Sequence, residues 1–445
     1  MAAAEKQNAF SATTPEAVRE LDYFDEVPER EYRVEPQAST RQPRVLFLNR
    51  SFWPDHEATG QFMTELCDDL SLDHEVTIVA GPSCSTDHKN GAGVRLWSRE
   101  RRGKVSIIRT WGTRFSKTSL AGRLVNLGTY YLLAAAVASR LPRPDIIVAE
   151  TDPPLLGALA AVLKRRWGCR LVYNVRDLYP DIAEVTGGVR SPFLLDLLRR
   201  GNKYAYERAD LIVTLGHDMA QRIISKGVPA DKVMVVPDWV DCGRIRPLES
   251  NPFRRNFGDK FVVMYSGNIG LSQQLEAVLE AADWLRDDSR ILFAIVGEGA
   301  RKKWLEERAR AMGLRNVTFL PYQPLEKLGE SLGAADLHLI PLAPGAAGCL
   351  VPSKIYGILA AGRPFIAMME ESAEVAQIAR EDAVGFVVRP GDVHALIGTI
   401  RKAVNSPERL KQMGLRARRL AESRFDRVKV TSSFGSMLAS VTMLN

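Results

Sequence analysis

Between Phe261 and Met369, short apolar runs end repeatedly in glycine, proline or small residues, and helical patterns separate them. The runs read FVVMYSGNIG, ILFAIVGEG, VTFLPYQP and AADLHLIPLAPGAAG, and the last continues through CLVPSKIYGILAAG into RPFIA. Buried strands that alternate with helices imply a parallel sheet covered on both faces. Ligands of such sheets sit just outside the carboxyl ends of the strands. Glycines there let backbone N–H groups approach a phosphate, and the helix that follows turns its positive end toward it. A series of these turns implies a pocket for a nucleotide or a sugar nucleotide.

The same alternation occurs upstream. Strand candidates are 44–48, 76–80, 105–109, 146–149, 171–175, 211–214 and 233–236, with helical patterns at 61–70, 119–140, 153–167, 192–208 and 216–226. A second series follows the Pro- and Arg-rich stretch Pro237–Asp259, at 261–266, 291–296, 316–320, 336–340, 364–368 and 385–388. At 445 residues the chain is too long for one core. The expected organisation is a disordered leader over 1–42, an α/β domain over 43–237, a linker over 238–259, a second α/β domain over 260–423 and a closing helix within 424–445.

Charge follows the same division. The first 42 residues hold nine acids and five bases, a balance of −4, so the net +7 of the whole leaves +11 on the remainder. A basic body suits diphosphates or an anionic lipid surface. Nucleic acid is not expected, because the basic residues are scattered without interleaved aromatics. The cysteines Cys67, Cys84, Cys169, Cys242 and Cys349 form no CxxC pair, which favours a reduced, cytoplasmic location. MAAAEKQNAF lacks the basic start and apolar run of a signal peptide. The longest uncharged run, Leu124–Ser139, has 16 residues, short of the roughly 20 that span a membrane.

Gly297-Glu298-Gly299 follows a strand, but Lys302 stands where a dinucleotide fingerprint needs its third glycine, and no GxxxxGK[ST] occurs. Ser353-Lys354 follows Pro352 and the small-residue loop Pro344–Gly348 and reads as a helix start. Free N–H groups and a first-turn lysine there make an anion site, and Thr59-Gly60 is its counterpart in the first half. Asp177, in NVRDLYPD, ends a strand and faces the cleft as a base or hydroxyl-orienting group. The alternative is an Asx-type turn at Asp177 or Asp181. Arg176 either pairs with Asp177 or meets substrate together with Tyr179. His56 is the histidine placed to meet substrate, whereas His338 sits in an apolar strand and reads as a core residue. No two histidines share a ligand spacing, so neither a metal nor a cofactor is expected.

The segments FWPDHEATG, VRDLYPD, YSGNIG, VGEG, FLPYQP and PSKIYGILAAGRPFIA together resemble glycosyltransferase family 4, retaining sugar transferases of the GT-B fold. The resemblance runs from Arg44 to the C-terminal helix and is to the exopolysaccharide and O-antigen branch of colanic-acid type. It implies two Rossmann-like doubly wound domains facing a cleft, a last helix crossing back onto the first domain, and a UDP- or GDP-sugar donor held mainly by the second. On this resemblance Gly297, Glu298, Pro321 and Tyr322 line the base. Ser353 and Lys354 lie near the ribose and diphosphate, with Gly348, Leu350 and Val351 leading into them. Gly267, Asn268, Thr59 and Gly60 close on the phosphates. A glycan or polyprenyl-diphosphate-linked acceptor enters near Asp177, His56, Arg176 and Tyr179.

Two departures stand out. The glutamate pair of many members falls on Cys349 and Gly357, and a cationic pair falls on Gln273 and Gln274. A non-catalytic nucleotide-sugar binder is therefore the second reading. A same-fold epimerase is weaker, because the second domain shows no carboxylate/His acid–base set. The leading expectation is a retaining transfer through an oxocarbenium-like carbon, with Lys354 and loop amides stabilising the leaving diphosphate. The stripe Leu194, Leu197 and Leu198 beside Arg199, Arg200 and Lys203, with the loop of Trp111, Phe115 and Lys117, fits peripheral association with the inner face of the plasma membrane.

Overall fold

The computed structural model describes residues 41–55, 58–82, 96–113, 115, 120–270 and 273–443. The acidic leader up to residue 40, His56, Cys84 and Lys117 lie outside the described residues.

The first half runs β1 (Arg44–Leu48), α1 (Ala58–Leu70), β2 (Glu75–Ala80), β3 (Trp97–Arg102), β4 (Val105–Thr110), α2 (Leu120–Ala138) and β5 (Ile146–Ala149). It continues with α3 (Leu156–Trp167), β6 (Arg170–Val175), α4 (Asp181–Val185), α5 (Pro192–Arg208), β7 (Leu211–Thr214), α6 (His217–Ile224) and β8 (Val233–Val235). Its eight described strands form one sheet in the order β3-β4-β2-β1-β5-β6-β7-β8. Every neighbouring pair is parallel except β3 with β4. The antiparallel edge strand has no counterpart among the sequence expectations. Its sequence WSRERR carries no apolar alternation, because neither of its faces is buried.

The second half runs β9 (Phe261–Ser266), α7 (Glu276–Trp284), β10 (Ile291–Val296), α8 (Lys302–Ala311), β11 (Val317–Leu320), α9 (Leu328–Gly333) and β12 (Leu337–Pro341). Then come α10 (Lys354–Ala360), β13 (Phe365–Met368), α11 (Glu374–Glu381), β14 (Gly385–Val388), α12 (Val393–Val404), α13 (Pro407–Arg424) and α14 (Arg427–Met443). This sheet has six parallel strands among the described residues, ordered β11-β10-β9-β12-β13-β14. Strands buried on both faces read as unbroken apolar runs, which is why β5, β7, β9 and β10 have the bounds expected from sequence.

The final helix, α14, returns to the first domain. Val430, Phe434, Met437, Leu438 and Val441 bury themselves in the cluster that holds Val45, Phe47 and Met63. The return crosses beside the outward linker: Val240 N–H donates to the Phe425 carbonyl at 2.8 Å, and Arg427 N–H to the Val240 carbonyl at 2.9 Å. Trp239, Val240, Cys242 and Ile245 are all buried. The expected linker over 238–259 is therefore built into the packing at its start. One apolar cluster contains Leu46 and Leu171 of the first domain together with Leu342, Ala346 and Phe365 of the second.

Candidate functional site

In each sheet the parallel strands deliver their carboxyl ends to one edge. The two edges meet. Asp177, just past β6, forms an antiparallel bridge with Leu350 of the loop after β12, and Leu178 N–H donates to the Cys349 carbonyl at 2.7 Å. On the outer side of this junction the Arg222 guanidinium donates to the Ala347 carbonyl at 2.8 Å. Asp177 and the donor-side loop 348–351 therefore share one crevice.

Lys354 opens α10, three residues after that loop, and its side chain turns to the end of β9. Its ammonium lies 4.1 Å from the centroid of the buried Tyr265 ring. It also sits against Gly267, where a Cβ would lie 3.2 Å from Nζ. The Tyr265 hydroxyl donates to the Asn268 carbonyl at 2.5 Å, which fixes the ring as the floor of the pocket. Tyr322, at the end of β11, lies close enough to Tyr265 to affect its ionisation. Lys354 has a ring beneath it but no carboxylate or hydrogen-bond acceptor as partner among the described residues. Burial alone pushes its amine down to about 7. An anion delivered to Nζ reverses that penalty, since an opposite charge favours the protonated form.

In the first domain, Asp177 N–H donates to Thr151 Oγ1 at 3.1 Å, and its carboxylate accepts no hydrogen bond among the described residues. Burial, opposed by Arg176 and reinforced by Asp152 and Asp238, pushes the Asp177 carboxyl up to about 6. Tyr179 holds its ring within the field of Asp177 and Asp152, and its carbonyl accepts from Asn202 Nδ2 at 2.6 Å. Thr59 and Gly60 lie in the first turn of α1, with Gly60 packed against Asp55. One turn on, the Phe62 ring lies 5.0 Å from the Arg176 guanidinium and edge-on to Trp239 at 5.2 Å.

Several expected roles change. Arg176 pairs with neither Asp177 nor the open cleft. It is buried and donates to Asp238, also buried, so it ties β6 to the linker instead of presenting a charge to an acceptor. The Gly348 N–H is already used by Asp218 Oδ2 at 2.9 Å. The Gln273 side chain turns back to accept from Gly270 N–H at 3.1 Å. Gly297 and Gly299 owe their identity to backbone crowding: Cβ atoms there would sit 1.9 Å from the Gly267 carbonyl oxygen and 2.3 Å from that of Ile269. Ser353 flanks α10 without capping it, and the helix has only seven residues. The lysine, more than the helix end, is then the source of positive charge. Glu298 is exposed and bonded to Lys302 at 2.6 Å. Pro321 and Asn268 are exposed at the rim, and Val351 is buried behind Leu350.

The two positions where the family resemblance leads one to expect glutamates are tightly packed. Cys349 is fully buried at the domain junction. A Cβ on Gly357 would lie 2.9 Å from Leu332 Cδ1, so a longer side chain must displace a buried methyl. Neither position offers a carboxylate a place in the crevice.

The sequence reading also missed a reciprocal cap across the cleft. Asp218, in the first turn of α6, accepts from Glu374 N–H at 3.0 Å, while Glu374, in the first turn of α11, accepts from His217 N–H at 2.7 Å. Each carboxylate satisfies the other helix's free donors, as in a capping box, but between two domains. An acidic residue in the first turn was the available signal, and it says nothing about its partner. His338 is a core residue, as its apolar strand implied, with Nε2 2.9 Å from the Leu332 carbonyl. Among the described residues no group of three or more His, Cys, Asp or Glu is arranged to hold a metal.

Residues 58–239 match the family described as glycosyl transferase 4-like domain, and residues 249–420 match glycosyl transferases group 1. The chain belongs to glycosyltransferase family 4. A colanic acid biosynthesis glycosyl transferase of Escherichia coli, WcaI, is 28% identical over 405 residues, covering 88% of this chain and 98% of its own. The glycosyltransferase WbjE of Pseudomonas aeruginosa is 28% identical over 289 residues, covering 64% of this chain and 72% of its own. These relatives place the chain in the exopolysaccharide and O-antigen branch. The crystal structure of Anabaena HepE in complex with UDP superposes with a TM-score of 0.68 at 16% identity, over 89% of this chain and 100% of that one. The fold is GT-B.

Proposed function

We propose that this family 4 enzyme moves a sugar from a UDP- or GDP-sugar to a glycan or polyprenyl-diphosphate-linked acceptor, with retained configuration, in cell-surface polysaccharide synthesis. The observation that supports the reading is Lys354: a desolvated cation with no acid partner among the described residues, lying over Tyr265 and against Gly267. Such a group suits the negative charge that grows on a departing diphosphate, and it does so without a metal. Asp177 is positioned to orient or deprotonate the acceptor hydroxyl. The colanic acid role of WcaI supports the polysaccharide assignment, and the UDP of HepE supports a nucleotide donor.

An anionic membrane surface fits the first domain. On α5, Phe193 is 79% and Leu197 45% exposed, while Leu198 is buried, and Arg200 and Lys203 flank them in solvent. A cavity of about 310 Å³ opens beside this helix, lined by Tyr179, Tyr206, Lys203, Lys226 and Lys232. No helix among the described residues is long and apolar enough to cross a membrane. The exposed apolar and basic face of α5 supports a proposed location peripheral to the lipid, on the cytoplasmic side.

The test is a thermal-shift series with UDP, GDP, UDP-glucose and other UDP- and GDP-sugars. A ligand at 100 times its dissociation constant stabilises by about 2.7 kcal/mol. Lack of a shift with every nucleotide refutes the donor assignment. Donor hydrolysis or transfer above background separates the enzyme from a binder that has lost the glutamate pair.

A further inference from the structure

The carboxyl ends of β1, β5 and β6 carry three polar side chains in one row. Leu48 pairs with Ala149, and Ala149 with Tyr173. The residues one step further, Asn49, Glu150 and Asn174, therefore lie side by side across three strands. Two positions back, Phe47, Val148 and Val172 belong to the core beneath α1 and α14, so the row points to that same face. Its members are 0%, 0% and 3% exposed.

The hydrogens of the row do not match its lone pairs. Asn49 Nδ2 donates to the Ser51 carbonyl at 2.7 Å, and Asn174 Nδ2 to Glu150 Oε1 at 2.8 Å. Asn49 Oδ1, Glu150 Oε2 and Asn174 Oδ1 are buried with no donor. An ionised Glu150 leaves three buried acceptors together without a hydrogen, each destabilising the fold. A proton on Oε2 converts one of them to a donor and satisfies a neighbouring amide oxygen.

The charges around Glu150 have other commitments. Arg176 donates to Asp238 and lies over Phe62. Burial acts most strongly on Glu150 and favours its neutral form; Arg176 and the Asn174 amide oppose this, while Asp238 and Asp152 reinforce it as like charges. Glu150 in turn acts on the buried Cys67 thiol of α1 and on Tyr173. We infer that Glu150 is held as a neutral carboxylic acid whose proton bridges this row, leaving Arg176 committed to Asp238. Glu150 is then a positioning residue. Its ionisation sets it against Asp238 for the same guanidinium and loosens the Arg176–Asp238 tie between β6 and the linker. Burial, which pushes its carboxyl up to about 7, agrees with the geometry.

The test needs no substrate. Glu150→Gln is a permanently neutral mimic whose amide supplies the missing hydrogen. A carboxyl raised from 4.5 to about 7 on folding contributes stability at low pH that is lost as pH rises through about 7. The melting temperature of the Gln variant relative to the native protein should therefore rise by a few degrees between pH 5 and pH 8, then level off. At pH 8.5, amide exchange across 176–180 and 238–242 should be faster in the native protein than in the variant, and equal at pH 6. In infrared spectra at pH 6, the variant should lack a protonated-carboxyl carbonyl band present in the native protein. A pH-independent difference in melting temperature, equal exchange at pH 8.5, an unchanged infrared band, or a Gln variant that does not fold each overturns the inference.

Discussion

Replacing Lys354 by Met should make the protein more stable and a poorer binder of nucleotides. Burial lowers the amine from 10.5 to about 7, and one unit corresponds to about 1.4 kcal/mol, so the full penalty is about 5 kcal/mol. Lys354 keeps part of its surface in water and rests on the Tyr265 ring, so we take about half, ~2 kcal/mol. The folded-state pKa lies below the unfolded one. The penalty is therefore complete below about pH 7 and fades as pH rises toward 10.5. Urea unfolding at pH 6.5 and pH 9 should show the Met variant ahead by ~2 kcal/mol at the lower pH and by less at the higher. Titration calorimetry with UDP should show the opposite sign. Loss of a charge-assisted contact costs roughly 1.5–3 kcal/mol, or about 10- to 100-fold in affinity. Native affinity for UDP should also weaken above pH 7, as the lysine arrives unprotonated. A Met variant that is less stable than the native protein, or that binds UDP equally well, refutes this assignment of the cation.

Arg176→Ala leaves the Asp238 carboxylate buried without its partner and should cost about 3–5 kcal/mol, largely recovered in Arg176→Ala/Asp238→Asn; equal unfolding midpoints for the single and double variants would contradict the tie. Gly297→Ala places a Cβ 1.9 Å from the Gly267 carbonyl oxygen at a φ of +150°, so about 4 kcal/mol or more of stability should be lost, read from denaturant midpoints; a native midpoint would show that the two loops separate readily. If Asp177 works as the base, kcat/KM should fall as pH drops through about 6, and Asp177→Asn should remove that limb; a limb that persists in the Asn variant assigns it to another group.

The architecture was readable because parallel strands buried on both faces cannot alternate. Runs such as ILFAIV and FVVMYS therefore declare themselves without reference to anything distant. The edge strand WSRERR was hidden for the converse reason, since an exposed strand imposes no pattern. Within the site, the sequence located Lys354 and Asp177 correctly as residues at strand ends and helix starts. It could not tell that Arg176 turns toward Asp238, 62 positions away. Nor could it show that Asp218 and Glu374, 156 apart, cap each other's helices.

By itself, then, the sequence determined what depends on near neighbours in the chain: the strands, the glycine turns, the two domains and the family motifs they carry. Tertiary structure alone decided which polar groups are already satisfied and which are left to act. A hydrogen bond or ion pair depends on distances of a few ångströms between side chains far apart in the chain, and local patterning carries no record of that separation. The Gly348 N–H and the Gln273 side-chain oxygen are engaged in this way, and Lys354 has no acidic partner among the described residues for the same reason.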